Sequence, residues 1–219
     1  MSRHVQADIE RTLEAVLTDG VFLCVRLGRG VDVTQACRAA VRGGLTVLEV
    51  TLTTPGALDV IRELSNDDGV VVGGGTVLTT DDVRAVADAG GRFALSPVFD
   101  RDVVDEAHSL GLLAVPGTST PTEVLAAHRH GARLVKVFPA AALGGPTYIR
   151  AIRGPLPDVS IVPTNGIDAT NLADYLDAGA VAVGVGGDVF PRGFTLESVE
   201  AAARGVRDAM NAARRGGKA

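Results

Sequence analysis

Eight short apolar runs recur along the chain at intervals of roughly 20–27 residues, each followed by a stretch with helical spacing. They are VFLCVRL at 21–27, TVLEVTL at 46–52, GVVVGGG at 69–75 and RFALSP at 92–97, then LLAVPG at 112–117, RLVKVFP at 133–139, SIVPTNG at 160–166 and AVAVGVG at 180–186. Runs this continuously apolar belong to strands covered on both faces, which means a parallel sheet under helices. Eight of them predict closure into a (β/α)8 TIM barrel, with residues 1–219 forming one domain. Ile9, Leu13, Val16 and Leu17 repeat at helical spacing ahead of the first run, so an additional N-terminal helix is expected. An open, doubly wound sheet is the alternative; the lack of an early GxGxxG between a first strand and a first helix weakens it. Thr80 and Thr120 stand where helix N-caps belong, and Gly90, Gly111 and Gly131 where helices stop. A last helix is expected from about Leu196 to Arg214, with the tail RRGGKA frayed.

Composition narrows the class of function. Apolar residues are 46% of the chain and Trp is absent, so small and branched side chains must fill the core. A formal charge of -5 argues against a nucleic-acid partner, which calls for concentrated positive surface. The first twenty residues are charged and carry no apolar signal core, and no apolar run is long enough to span a bilayer. A cytoplasmic enzyme acting on a small molecule, with no membrane partner, is the simplest reading. Cys24 and Cys37 make neither a disulfide framework nor a metal knuckle and read as reduced, buried thiols. His4, His108, His128 and His130 fall on helices, so neither a metal nor a histidine base is expected.

The basic residues are unevenly chosen. Of 21 basic side chains only Lys136 and Lys218 are lysines, and Lys218 lies in the tail. Lys136 sits in the middle of the sixth apolar run, in L-V-K-V-F. Strand periodicity puts Leu134, Lys136 and Phe138 on one face, and a charged side chain there must point into the upper barrel, where such folds place their chemistry. An amine can condense with a carbonyl and a guanidinium cannot, while burial favours the neutral, nucleophilic amine. A Schiff-base lysine acting on a small carbonyl substrate is therefore expected, with no cofactor. The structural alternatives are an ion-paired lysine or a point charge for phosphate. Glu49 is the only acidic residue inside an apolar run. Facing Lys136 across one interior, it would offset the cost of burial and could also move protons among carbinolamine, imine and enamine.

Polar and glycine-rich strand ends supply further candidates. Thr76 follows three glycines, Pro97 ends the fourth run, and Thr164, Asn165 and Gly166 end the seventh. Gly186, Gly187 and Asp188 end the eighth, where backbone amides usually cradle an anion; the Asp188 carboxylate opposes that use. Tight βα turns would account for several of these glycines equally well. Arg26, late in the first run, either binds a carboxylate or phosphate in the mouth, neutralises Glu49, or sits at the rim.

The segments GGLTVLEVTL, GGGTVLT, ALSP, VPGTSTPTE, KVFPA and VPTNGI, in this order, resemble the class I 2-keto-3-deoxy-6-phosphogluconate aldolase family, which also includes 4-hydroxy-2-oxoglutarate and phosphogalactonate aldolases. The likeness spans about residues 8–205. It implies reversible aldol cleavage of a 2-keto-4-hydroxy acid to pyruvate and an aldehyde, without metal, in a homotrimer. Lys136 would form the imine and Glu49 would be the acid–base group. Thr76 and Pro97 would surround the donor, and Thr164 would lie near the acceptor.

The chain departs from the family pattern at the substrate-holding positions. TLRT is TLTT, so Thr53 replaces the arginine that grips the pyruvate carboxylate. PTGG is PTNG, so Asn165 replaces a glycine of the phosphate loop. Asp188 stands for the phosphate-binding serine, and the proline of the first strand is lost, leaving LCVR with Arg26 retained. Two changes at the phosphate end favour an unphosphorylated substrate, and Asp188 suits hydroxyls or an amino group. The alternatives are an imine-dependent decarboxylase, dehydratase or condensing enzyme, a non-catalytic metabolite-binding barrel, and a phosphate-dependent isomerase-type barrel.

Overall fold

The N-terminal helix comes first, and it forms the floor. In the computed structural model, which describes residues 3–216, α1 (Arg3–Asp19) turns Ile9, Leu13 and Val16 inward. They join Phe22, Val47, Phe93, Leu113, Leu134, Val162 and Ala182 in one buried cluster, with Phe22 edge-on to Phe93 at 5.3 Å. Side chains from so many strands meeting in one cluster are inward-pointing, so this is the lower interior of a barrel, closed at its base by α1. Each contributes about 1.5–3 kcal/mol by burial, which makes the floor a stiff support for whatever stands above it.

Eight βα units follow. They are β1 (Val21–Val25) with α2 (Val33–Arg42), β2 (Val47–Thr51) with α3 (Ala57–Leu64), β3 (Val71–Gly75) with α4 (Thr80–Asp88), and β4 (Phe93–Leu95) with α5 (Arg101–Ser109). The fifth strand is in two pieces, β5 (Leu113–Val115) and β6 (Gly117–Thr118), before α6 (Pro121–Arg129). Then come β7 (Val135–Val137) with α7 (Gly145–Arg153), β8 (Ile161–Pro163) with α8 (Leu172–Asp177), and β9 (Val183–Val185) with α9 (Leu196–Gly216). All pairings are parallel.

The barrel is distorted and not evenly laddered. One sheet runs β5-β4-β3-β2-β1-β9 and a second β6-β7-β8. The sheets join through a parallel bridge of Thr164 with Gly184 and through the Val181 amide donating to Ile161 O at 3.0 Å. The other seam is the chain itself at Pro116, which has no N–H for a ladder and so splits the expected fifth strand in two.

Two local expectations are corrected. Thr79, not Thr80, caps α4: its side chain accepts from Asp82 N while the Asp82 carboxylate accepts from Thr79 N, a reciprocal arrangement that only this register allows. Thr120 caps α6 with Glu123 in the same way, and Gly90, Gly111 and Gly131 follow their helices at positive φ. The tail is not frayed from Arg214: α9 continues to Gly216, and the Arg214 guanidinium donates to the carbonyls of Leu17 and Thr18 at the end of α1. Lys218 lies outside the described residues. Below the barrel, buried Asp19 accepts from Val21 N, Thr46 N, Thr46 Oγ1 and Arg207, which ties α1, β2 and α9 together.

Candidate active site

The two-residue period of each strand carries the interior upward from the floor. Above Phe22 stand Cys24 and then Arg26; above Val47, Glu49; above Leu134, Lys136 and then Phe138; above Val162, Thr164; above Ala182, Gly184 and then Gly186. The lower member of each series lies in the floor cluster, and the upper members line one cavity of ≈ 590 Å³ at the C-terminal ends of the strands. Thr76, Pro97, Asn165, Gly166, Gly187 and Asp188 complete its wall. Residues far apart in sequence thus meet in one chamber.

Lys136 and Glu49 are both buried, at 5% and 1% exposure. The Lys136 ammonium lies 5.0 Å from the centroid of the Phe138 ring, which shields it from solvent on one side. Glu49 is strained electrostatically: its Oε2 has no hydrogen-bond partner. Burial pushes its carboxyl above the ordinary range, against the opposing charges of Lys136 and Arg26 and a hydrogen bond from Cys24. A carboxyl held upward by burial beside a cation is suited to take a proton and give it back.

The glycines of GVVVGGG have a different purpose from the turns that the sequence suggests. Gly73 and Gly75 lie within β3 and face inward. A Cβ on Gly73 would fall 2.6 Å from the Phe93 ring, and a Cβ on Gly75 would meet Glu49 Oε1. Gly75 therefore makes room for the carboxylate. Gly75→Ala is expected to displace the flexible end of Glu49 and lower catalytic turnover by about 10-fold or more, with little change in thermal midpoint, as paired assays and melting curves would show.

Arg26 lies one residue beyond β1, at the upper rim of the cavity. Its guanidinium donates to Thr53 Oγ1 at 2.8 Å and to Thr76 Oγ1 at 3.1 Å. Thr53 is not among the residues lining the cavity; it follows β2 and its hydroxyl accepts from Arg26. Behind it the Thr51 and Thr54 hydroxyls both donate to Val25 O at 3.2 Å, fixing the end of β1. These two threonines were not singled out from sequence. The T-L-T-T spacing signalled polar density at a strand end, but its target on β1 depends on the fold.

Thr76 and Asn165 adopt positive φ, +57° and +85°. Asn165 thus occupies a left-handed position that glycine takes without strain. It adds a side chain where the family has a bare amide. Asp188 is exposed at the cavity mouth, in the turn after β9, the strand that pairs with β1. Cys24, expected to be an ordinary core thiol, instead lines the cavity floor, while Cys37 is buried in α2. His108 and His130 do not line the chamber; they lie on α5 and at the cap of α6, where His130 meets Asp105 at 2.9 Å. Among the described residues no group of His, Cys, Asp and Glu is arranged to hold a metal ion, and no helix is long and apolar enough to cross a membrane.

The family model for KDPG and KHG aldolase matches residues 13–202. The chain belongs to that family. A 2-dehydro-3-deoxy-phosphogluconate aldolase of Pseudomonas aeruginosa is 37% identical over 153 residues, covering 69% of this chain and 70% of its own. The KHG/KDPG aldolase of Escherichia coli K12 is 36% identical over 165 residues, covering 74% and 78%. Among solved structures, a KDPG aldolase from Legionella pneumophila with pyruvate captured as a covalent carbinolamine superposes with a TM-score of 0.81 at 30% identity, covering 89% of this chain and 97% of that one. As a KDPG/KHG aldolase family member, the chain is a lyase that cleaves an aldol through a lysine imine.

Proposed function

We propose that Lys136 is the imine-forming residue and Glu49 the proton carrier in aldol cleavage of an unphosphorylated 2-keto-4-hydroxy acid to pyruvate and an aldehyde. The observation that carries this reading is the enclosure of Lys136, the one buried lysine among the described residues, and of Glu49, whose Oε2 has no partner, in a single chamber above a rigid floor.

The steps follow from the groups present. The Lys136 amine adds to the C2 carbonyl and water leaves, giving an iminium. Glu49 takes the C4 hydroxyl proton, the C3–C4 bond breaks, and its electron pair passes into the iminium to form an enamine while the aldehyde departs. A proton returned to C3 restores the iminium, and water releases pyruvate and free Lys136.

Arg26 would hold the donor carboxylate in place of the arginine missing at Thr53, with Thr53 and Thr76 fixing the direction of its guanidinium. Arg26→Met is then expected to raise the pyruvate concentration for half-maximal imine formation by about 10–100-fold, measured by trapping at graded pyruvate. Asp188 and Asn165 stand on the loops after β9 and β8, where a carboxylate repels a phosphate and accepts hydrogen bonds from hydroxyls. Thr164, Gly166, Gly186, Gly187 and Pro97 would shape the rest of the cavity wall.

The test is a comparison of kcat/KM for pyruvate release from matched phosphorylated and unphosphorylated 2-keto-4-hydroxy acids. Preference for the unphosphorylated substrate, reversed or narrowed in Asp188→Ser, supports the reading. Preference for the phosphorylated one in the unaltered enzyme contradicts it. The family resemblance further implies a cytoplasmic, single-domain homotrimer, and the assembly is tested by light scattering.

A further inference from the structure

We infer that the Cys24 thiol is a positioning residue for Glu49: it donates a hydrogen bond to the carboxylate and sets the pH range over which that carboxylate takes a proton. The inference rests on the role proposed for Glu49 and concerns a residue to which no part in the chemistry has been assigned.

Register brings the two together. Cys24 and Glu49 are direct partners across the parallel β1–β2 pair, so their side chains point the same way, and both line the cavity. On its other side Glu49 is bounded by Gly75, where even one methyl group would collide with it. Gly186 of the β9 end closes over Cys24, with room for no Cβ beyond 2.9 Å from Cys24 O. The carboxylate therefore stands between a glycine that offers nothing and a thiol that offers one proton, with Oε2 unpartnered and the residue 1% exposed. The other charged groups facing this pair are Lys136 from β7 and Arg26 from the end of β1, whose guanidinium also hydrogen-bonds the Cys24 sulfur and leaves the thiol proton for Glu49.

The chemistry suits a thiol. Burial, and then the neighbouring Glu49 charge, push the Cys24 thiol up to about 12. At neutral pH it keeps its proton, so it donates and does not compete with Lys136 for the carbonyl carbon. A thiol is also a weak donor. It steadies the carboxylate without locking it in the ionised form, which a group that must take a proton and give it back requires.

The test uses pyruvate alone: exchange of its methyl protons for deuterium, followed by NMR across pH, needs only the imine and a base. The acidic limb of that profile reports the base. Cys24→Ala removes the donor and is expected to move the limb upward by about half to one pH unit. Cys24→Ser, a stronger donor of similar size, is expected to move it back to or below the wild-type position. Melting curves identify any variant that fails to fold, and Cys24→Val, which fills the space without a donor, must then follow Cys24→Ala. If Glu49→Gln abolishes the limb while the Cys24 variants leave it in place, the inference about Cys24 is wrong and the role of Glu49 stands. If the limb persists in Glu49→Gln, the role of Glu49 is wrong and the inference falls with it.

Discussion

Lys136→Met is expected to lower turnover by at least about 10⁴-fold while the chain still folds, with a lower melting temperature because buried Glu49 loses its cation. The nucleophile is lost outright, and no second lysine among the described residues can replace it. Methionine fills nearly the same volume, so the Phe138 ring keeps its contact and the floor cluster below is untouched. Lys136→Arg separates charge from chemistry. It keeps a cation opposite Glu49, yet a guanidinium does not condense with a ketone, so it should be as inactive as Lys136→Met. Turnover in Lys136→Arg within a few-fold of the unaltered enzyme would mean that the cation acts only as a charge. Steady-state pyruvate release and differential scanning calorimetry make both comparisons.

Glu49→Gln has the second largest expected effect, a loss of about 10²–10⁴-fold in the proton-transfer steps. Its effect on stability should run the other way. Burial holds the Glu49 carboxyl above its ordinary value of 4.5. Between pH 4.5 and that raised value the folded chain keeps a proton that the unfolded chain releases, so wild-type stability falls as pH rises through this window. Glutamine does not ionise and escapes the loss. The variant should match the wild type at the acidic edge of the window and melt higher at neutral pH. A less stable and inactive Glu49→Gln at all pH values would mark Glu49 as a structural partner of Lys136 instead.

Much of this architecture was legible in the residues because strands covered on both faces have a strong signature. Leu134, Lys136 and Phe138 could be put on one face by period alone, and the structure stacks them from floor to mouth. A lysine in such a run has few places to go, which is why the chamber could be anticipated before it was seen. Other features depend on distances that a sequence does not carry. A glycine clearing space for Glu49 from an adjacent strand has the same letter as a glycine in a turn, so Gly73 and Gly75 were indistinguishable from βα turns. Thr53 appeared as a lost arginine; its bond to Arg26 exists because the ends of β1 and β2 are neighbours. Cys24 passed for a core thiol because depth within a barrel, not burial, separates a floor residue from a cavity residue. Thr79 and Thr80 are adjacent candidates for one cap, and Asp82 three residues after Thr79 decides between them. Pro116 carried its own warning, since it has no N–H to donate to a ladder.

The central claim, that Lys136 forms the imine, is tested most directly by borohydride reduction in the presence of pyruvate, followed by intact mass and peptide mapping. A stable adduct confined to the peptide carrying Lys136, and absent from Lys136→Arg, is the predicted result. An adduct at another amine, or none with pyruvate and none with a panel of aldehydes and carboxylate-free ketones, would contradict it.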